Sequence, residues 1–393
     1  MRVRGLILIL TCALLSGCWS RRELTDVSFA GIMGVDWTGE QYAITLTIVS
    51  PQKASEEKGG PTGRRTWTIS EQAPSPDAAI AKLDQTLERS LTLSHVRTIV
   101  FGEEMARKGI GPTLDFMLRS VEIRPTAWIA VTNGLASELL KARPNQGILT
   151  EGPLGYQDAA QRRSSITPAR RLTEAANILQ EEGIDLTLPL FRTGDKAAPN
   201  AEQAEEEGAL RGKEENANEV VYGGEGVFRG DKLVAWLTPE ASRGHLWSLD
   251  RVVHGAVSVE CPTPSSDERI VLRLRRSDGQ TAVYVEQGKI RSRITVKVVA
   301  DVNDITCDDP LVSDGDVTRL NQALAVRVKE TIEKALVVAR STGSDMFGFG
   351  QNLYRHSPSA YLAREAHWDR VIQEMPVTVA VDARVVRLGH VRK

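Results

Sequence analysis

At 393 residues the chain is long enough for two or three domains of about 100–200 residues each. Its make-up, 41% hydrophobic and 25% charged, is that of an ordinary globular protein. With 49 basic against 51 acidic side chains the net charge is −2, which argues against a nucleic-acid binder with its basic face and gives no reason for electrostatic docking on anionic lipid.

Arg2 and Arg4 precede an apolar run from Gly5 to Leu15, which Leu15-Ser16-Gly17-Cys18 closes. A basic start, a short apolar stretch and small residues before a cleavage point read as a secretory signal. The run, about eleven residues, falls well short of the roughly 20 that a spanning helix needs. A cysteine directly after the small residues is the pattern of a bacterial lipoprotein signal. Residues 1–17 would be removed and the Cys18 thiol would carry a diacylglyceryl group, the one non-protein group expected here. A single acyl chain, at ~0.8 kcal/mol per buried CH₂, holds a bilayer only marginally, whereas two chains anchor it. The body is therefore expected to be extracytoplasmic, tethered to the outer face of a membrane. Loss of Arg2 and Arg4 with the signal leaves 47 basic against 51 acidic groups, a net charge of −4. Cys12 also leaves, so Cys261 and Cys307 are the two remaining thiols. Outside the membrane they could pair or stay separate; each ends a strand-like run, which permits a bond without requiring one.

Val27–Val35 and the alternating Tyr42–Val49 predict a hairpin around Asp36-Trp37-Thr38-Gly39-Glu40, and Thr66–Ile69 a third strand. Ser75-Pro76-Asp77 starts a helix running to about Arg89, with Ala79, Ile80, Leu83 and Leu87 on its buried stripe. Strands are expected at His95–Phe101, Ala127–Thr132 and Leu186–Leu190, and helices at Glu103–Lys108, Pro112–Ser120, Leu135–Lys141 and Pro168–Glu182. Helices falling between strands imply crossovers and a sheet that is partly parallel. From Gly194 to Glu219, eight acids stand against three bases with few large apolar residues. That stretch reads as a linker or long loop. It divides the chain into an N-terminal α+β part, 18–193, and a C-terminal α+β domain, 220–393; a long loop within one domain is the alternative.

The second half opens with a hairpin turning at Gly230-Asp231 and a short helix over Pro239–Leu246. Four strand-like segments follow, at Ala256–Glu260, Ile270–Arg275, Ala282–Glu286 and Ile290–Ala300. In the last, Ile290, Ile294, Val296 and Val298 share one face and Arg291, Arg293 and Lys297 the other, a solvated surface. Asp316–Arg340 carries an apolar stripe from Val317 to Ala339, wide enough to lie across a sheet. A helix over Ala360–Ile372 and a strand over Val377–Leu388 complete an α+β architecture of mixed or antiparallel sheets with helices on one face.

The search for chemistry finds little. None of the six histidines forms a His-x₃-His or Glu-x-x-His pair, and there is no Cys-x₂-Cys, so no metal site is indicated. No Gly-x-Ser-x-Gly elbow occurs. Gly224–Gly230 and Gly59–Arg65 both miss phosphate-loop spacing. The unusual stretch is Gly343-Ser344-Asp345-Met346-Phe347-Gly348-Phe349-Gly350 with Tyr354 beyond it. It fits a helix stop with aromatics packed beneath, or a docking surface in which Asp345, Phe347, Phe349 and Tyr354 meet a partner.

Taken together these residues resemble the Ger(x)C family, the lipoprotein C subunits of spore germinant receptors. The likeness runs from Gly17-Cys18-Trp19 with Arg22-Glu23-Leu24, through Leu93-Ser94-His95, Phe101-Gly102-Glu103-Glu104 and Asp115-Phe116 with Arg119, Glu122 and Arg124. It continues through Gly226-Val227-Phe228 with Asp231-Lys232-Leu233 to Asp345–Gly350, Tyr354, Trp368 and Arg387-Leu388-Gly389. The long acidic stretch at 194–219 departs from it. The resemblance implies a non-catalytic subunit on the outer leaflet of the spore inner membrane, assembling with an integral-membrane A subunit and a transporter-like B subunit. It attaches the response to small nutrients, such as amino acids or sugars, to the complex. A solute-binding lipoprotein of an ABC transporter would also carry a lipidated cysteine and two lobes, but with alternating βαβ units in both.

Overall fold

The computed structural model describes residues 27–49, 66–142, 154, 157, 165, 168–194, 220–252, 254–261, 269–307 and 314–387. Cys18 with the signal segment, the Gly59–Arg65 glycines and positions 195–219 of the acidic stretch lie outside the described residues.

The first sheet starts from the hairpin of β1 (Val27–Trp37) and β2 (Tyr42–Val49), whose register closes on the Trp37–Tyr42 pair. β3 (Thr66–Ala73) extends it antiparallel at the edge. Helix α1 (Pro76–Thr86) begins where the Ser75 hydroxyl accepts the Ala78 N–H at 3.2 Å, with proline in its first turn. It ends three residues short of the predicted Arg89, because Ser90–Thr92 forms a short strand, β4, parallel to the start of β1. Val96 N–H turns back onto the Leu93 carbonyl, so the next strand, β5, covers Thr98–Phe101 only. Then come α2 (Glu103–Lys108), α3 (Gly111–Arg119), β6 (Trp128–Val131), α4 (Ala136–Lys141) and α5 (Leu172–Ile178). The predicted helix from Pro168 starts late because its first residues pair with the start of β6. Arg170 accepts the Ile129 N–H through its carbonyl, and Arg171 bridges to Trp128.

β5, β6 and β7 (Thr187–Thr193) continue the sheet in parallel. β8 (Val220–Arg229) pairs antiparallel with β7, and β9 (Lys232–Leu237) with β8, giving the order β3-β2-β1-β5-β6-β7-β8-β9. The acidic stretch is thus a long connection within one sheet, and the two sheets part company after Leu237, not at 194–219. Most helices cover one face, where Met33, Leu46, Phe101, Met117 and Leu188 form a core with Leu83 of α1. Helix α4 covers the other face, packing Leu139 and Leu140 on Ile32, Val100 and Phe191.

Helix α6 (Pro239–Ser248) leads to the second sheet: β10 (Ala256–Glu260), β11 (Arg269–Glu286) and β12 (Lys289–Ile305), all antiparallel. Two predicted strands are one. The polar run Ser277-Asp278-Gly279-Gln280 stays in the ladder, and Gly279 lets it pass the end of α6, where a Cβ would come 2.0 Å from the Trp247 carbonyl oxygen. Helix α7 (Asp314–Thr342) lays Leu320, Leu324, Val328, Ile332, Leu336 and Ala339 over the sheet. After it come α8 (Phe349–His356), α9 (Pro358–Leu362), α10 (Trp368–Glu374) and β13 (Val377–Arg387), which pairs parallel with β12. The whole is a mixed-sheet α+β fold. Among the described residues no helix is long and apolar enough to cross a membrane.

Cys261, at the end of β10, is bonded to Cys307, just beyond β12, across a sequence separation of 46. The bond ties the strands on either side of β11. A closed loop of that length stabilises the fold by about 4 kcal/mol on the chain-entropy model. Cys261→Ser is expected to lower unfolding free energy by about that amount in a urea titration, and the wild type treated with reductant should match it.

Candidate functional site at the junction of the two halves

The stretch singled out by its glycines and aromatics is where the halves meet. Gly343, at φ 70°, stops α7, and Gly348, at φ 67°, turns the chain into α8. Between them the chain dives inward. The Ser344 hydroxyl donates to the Phe228 carbonyl at 2.7 Å, fixing the turn to β8. Asp345 N–H donates to Asp185 Oδ2 at 2.7 Å, and Asp185 N–H returns a bond to the Asp345 carbonyl at 2.9 Å. Gly230 N–H fills Asp185 Oδ1 at 2.9 Å.

Asp345 then caps α8. Its Oδ1 accepts from Phe349 N–H at 2.8 Å, and its Oδ2 from Gly350 N–H at 2.6 Å and Trp368 Nε1 at 2.7 Å. These satisfy amides that the helix start leaves without partners. Burial pushes Asp345 up to about 7, and the neighbouring Asp185 adds to the rise, against the three N–H donors. Burial raises Asp185 as well, against its own amide donors. Close backbone approach makes the joint possible. A Cβ on Gly350 would sit 2.6 Å from Gly183 Cα, and Gln351 N–H reaches the Gly183 carbonyl at 2.7 Å.

Of the residues expected to dock a partner, Asp345, Phe347 and Phe349 are interior, at 2%, 3% and 1% exposure. Phe347 stacks on Phe349 with centroids 5.2 Å apart and meets His245 edge-on. Buried side chains cannot present a docking face, so that reading is corrected to an internal joint. Tyr354 alone stays at the surface. Beside the joint opens a cleft of about 250 Å³, lined by Glu181, Asp185, Arg229, Tyr361, Trp368 and Asp369 among others. Sequence reasoning missed Asp185, Arg229, Tyr361 and Asp369, because they come from segments up to 184 residues apart with no shared motif.

A second polar cluster lies deeper. Glu225 of β8 accepts from the Ser242 hydroxyl on α6 and faces His245 Nδ1 at 3.0 Å, while His245 Nε2 meets the Met346 carbonyl at 2.9 Å. Burial works against the Glu225 carboxylate, but the His245 charge and the bonds from His245 and Ser242 outweigh it and hold its pKa below the ordinary range. Serine, histidine and glutamate are the parts of a nucleophilic triad, yet the wiring differs. The hydroxyl serves the carboxylate, not the imidazole, and both ring nitrogens face acceptors. All three residues are fully buried. They form a structural ion-pair network. Among the described residues no group of three or more His, Cys, Asp or Glu side chains is placed to hold a metal ion.

The fold and joint define a two-part α+β body built around internal polar contacts. Residues 20–193 match the family described as spore germination protein N-terminal domain, and residues 223–389 the one described as spore germination B3/GerAC like, C-terminal. The putative spore germination protein YfkR of Bacillus subtilis (strain 168) is 24% identical, covering 94% of this chain and 92% of its own. Spore germination protein KC of the same organism is 22% identical over 98% of this chain and 95% of its own. The crystal structure of the GerBC protein superposes with a TM-score of 0.57 at 16% identity, covering 93% of this chain and all of that one; this likeness is one of fold. The chain belongs to the Ger(x)C family of germinant receptor C subunits, and its role lies in spore germination.

Two outcomes follow from the joint. Gly350→Ala should cost about 1–3 kcal/mol of stability by overpacking against Gly183, read by chemical denaturation. The second concerns pH. Asp345 titrates near 7 when folded and near 3.8 in the unfolded chain, so its contribution is full below about pH 4 and is lost as pH rises through about 7. Wild-type stability should therefore fall over that window, while Asp345→Asn, less stable at pH 5, should lack that part of the slope. Glu225, held low, acts at more acidic pH with the opposite sign.

Proposed function

We propose that this protein is a non-catalytic, lipid-anchored subunit of a germinant receptor. It is tethered through Cys18 to the outer face of the spore inner membrane and assembles there with integral-membrane A and B subunits to trigger nutrient-induced germination. The observation that carries the reading is the ordered match of both halves, 20–193 and 223–389, to the two family domains. The lipoprotein pattern at Leu15–Cys18 supports the anchor, since two acyl chains hold a folded body at a bilayer. The buried wiring of Ser242, His245 and Glu225 supports a body without turnover. A solute-binding lipoprotein would need alternating βαβ units in its second lobe, where three of the four strands are antiparallel neighbours.

Cys18→Ala, and separately deletion of the gene, should abolish germination by nutrients that act through this receptor, while vegetative growth and sporulation continue unchanged. Fractionation of the Cys18→Ala strain should find the protein released from the membrane. Normal nutrient response in that strain would defeat the reading.

A further inference from the structure

We propose that the end of the first sheet at which β1 begins lies on a phospholipid surface, with Trp67 and Val121 in the headgroup layer and arginines at the phosphates. The inference rests on the Cys18 anchor proposed above and adds the part of the body that this anchor brings to the bilayer. From Cys18 to Val27 the chain has nine residue steps, a reach of about 30 Å when fully extended. An acylated Cys18 therefore keeps the start of β1 close to the membrane.

Two large apolar side chains stand in water at that end. Val121, in the turn after α3, is fully exposed, and Trp67 of β3 is 39% exposed. Strand pairing and one hydrogen bond fix both near the start of β1. Trp67 lies opposite Ile48, and Ile48 opposite Ala30. Thr92 pairs with Phe29, and the next residue, Leu93, donates its N–H to Glu122 Oε2 at 3.1 Å, one position from Val121. Both also lie on the side of the sheet covered by α1 and α3. Trp67 shares a face with Ile48, which belongs to that core, and Val121 follows the last turn of α3. A single exposed apolar side chain needs no explanation. A tryptophan and a valine together at the tethered end do, and tryptophan is a residue that collects at membrane interfaces.

The charges at the two ends of the sheet differ in sense. Exposed cations at the β1 start are Arg97, Arg119 and Arg124, against Asp115 and Glu122. Those two acids are engaged, Asp115 with Arg119 at 2.7 Å and Glu122 with the Leu93 amide. Arg171, whose guanidinium lies 4.0 Å over the Trp128 ring, is balanced by Glu174. At the other end β1 turns into β2, and α2 and α4 begin. There Asp36, Glu103, Glu104 and Glu138 stand against Arg107 and Lys108. The small net charge of the chain conceals this polarity. Arginine suits a lipid phosphate, because its planar fork offers two parallel N–H bonds and is weakly hydrated. A phospholipid surface accepts both features at once, apolar side chains in the headgroup layer and guanidinium groups at the phosphates.

The test uses the full-length acylated protein reconstituted into phosphatidylcholine–phosphatidylglycerol vesicles without other proteins. Cys18 carries lipid and Cys261 is bonded to Cys307, so Val121→Cys supplies the thiol open to an environment-sensitive fluorophore. Glu40→Cys, in the exposed turn after β1, labels the opposite end. Nitroxide-bearing lipids should quench the label at 121 at least threefold more than the label at 40, and its emission should shift to shorter wavelength on reconstitution. Trp67→Cys should behave as Val121→Cys does. Arg119→Glu combined with Arg124→Glu should remove at least half of the quenching at 121, while the protein still floats with the vesicles and melts as before. If that variant fails to fold, the comparison of 121 with 40 decides. Equal quenching at both ends, a label at 121 or 67 that stays in water, or full quenching in the folded charge-reversed protein would overturn the proposal. Flotation separates the two readings. Protein that floats with an unquenched label at 121 defeats the docking alone, whereas protein that does not float defeats the anchor and the docking with it.

Discussion

The architecture turns on a place where two backbones touch. Gly183 and Gly350 approach so closely that neither could carry a side chain in place. Only with that separation can Asp185 and Asp345 exchange backbone amides and carboxyl oxygens across the halves. Everything nearby inherits the geometry. Asp345 is held where it can cap α8, the α8 start brings Phe349 onto Phe347, and the segment between offers the Met346 carbonyl to His245. The cleft is the space left beside this contact, and its walls come from both halves. Burying two carboxyl groups costs free energy unless donors surround them. Here five N–H groups do so, and the arrangement exchanges stability for a fixed relation between the halves.

The boundary between those halves is not where charge and composition put it. An acidic stretch of 26 residues looks like a linker, and the family domains do break around it, ending at 193 and resuming at 223. The first sheet nonetheless continues through it, since β7 and β8 pair from Thr193–Val220 to Thr187–Val227. Closing a longer loop costs little extra, about 0.6 kcal/mol per doubling of length. A polar insertion can therefore lengthen a hairpin connection without disturbing the ladder on either side. Composition reports what a segment cannot bury, but it is silent on whether the flanking strands find each other.

Much of the secondary structure was legible because it is locally determined. The first hairpin follows from alternation and turn residues, α1 from Ser75-Pro76-Asp77, and α7 from a stripe repeated over about six turns. Errors arose where tertiary contacts overrode local signals. Gly279 reads as a strand break but serves close passage by α6, and Arg170 reads as helical but bonds to β6. The parallel pairing of β13 was also hidden, as β12 and β13 are separated by the helices that cross between them. At the site, Asp345 stood out through its glycine and aromatic neighbours. Its partner Asp185 lies in an ordinary turn, 160 residues earlier, and no pattern links the two.

The deeper cluster explains why residue type is a poor guide to chemistry here. A serine, a histidine and a glutamate lie within bonding distance, which would prompt a search for a nucleophile. Donor counting settles their roles. The Ser242 proton is committed to Glu225, so the contact at 2.6 Å with Tyr222 must be donated by the tyrosine. Both His245 nitrogens face oxygens, of Glu225 and of Met346, and neither meets the serine hydroxyl. An imidazole out of reach of a hydroxyl cannot take its proton. What the cluster does instead is pin β8, α6 and the Met346 segment together, one layer beneath the carboxyl joint. Sliding these elements past one another would leave buried polar groups without their partners, which costs more than losing an exposed hydrogen bond.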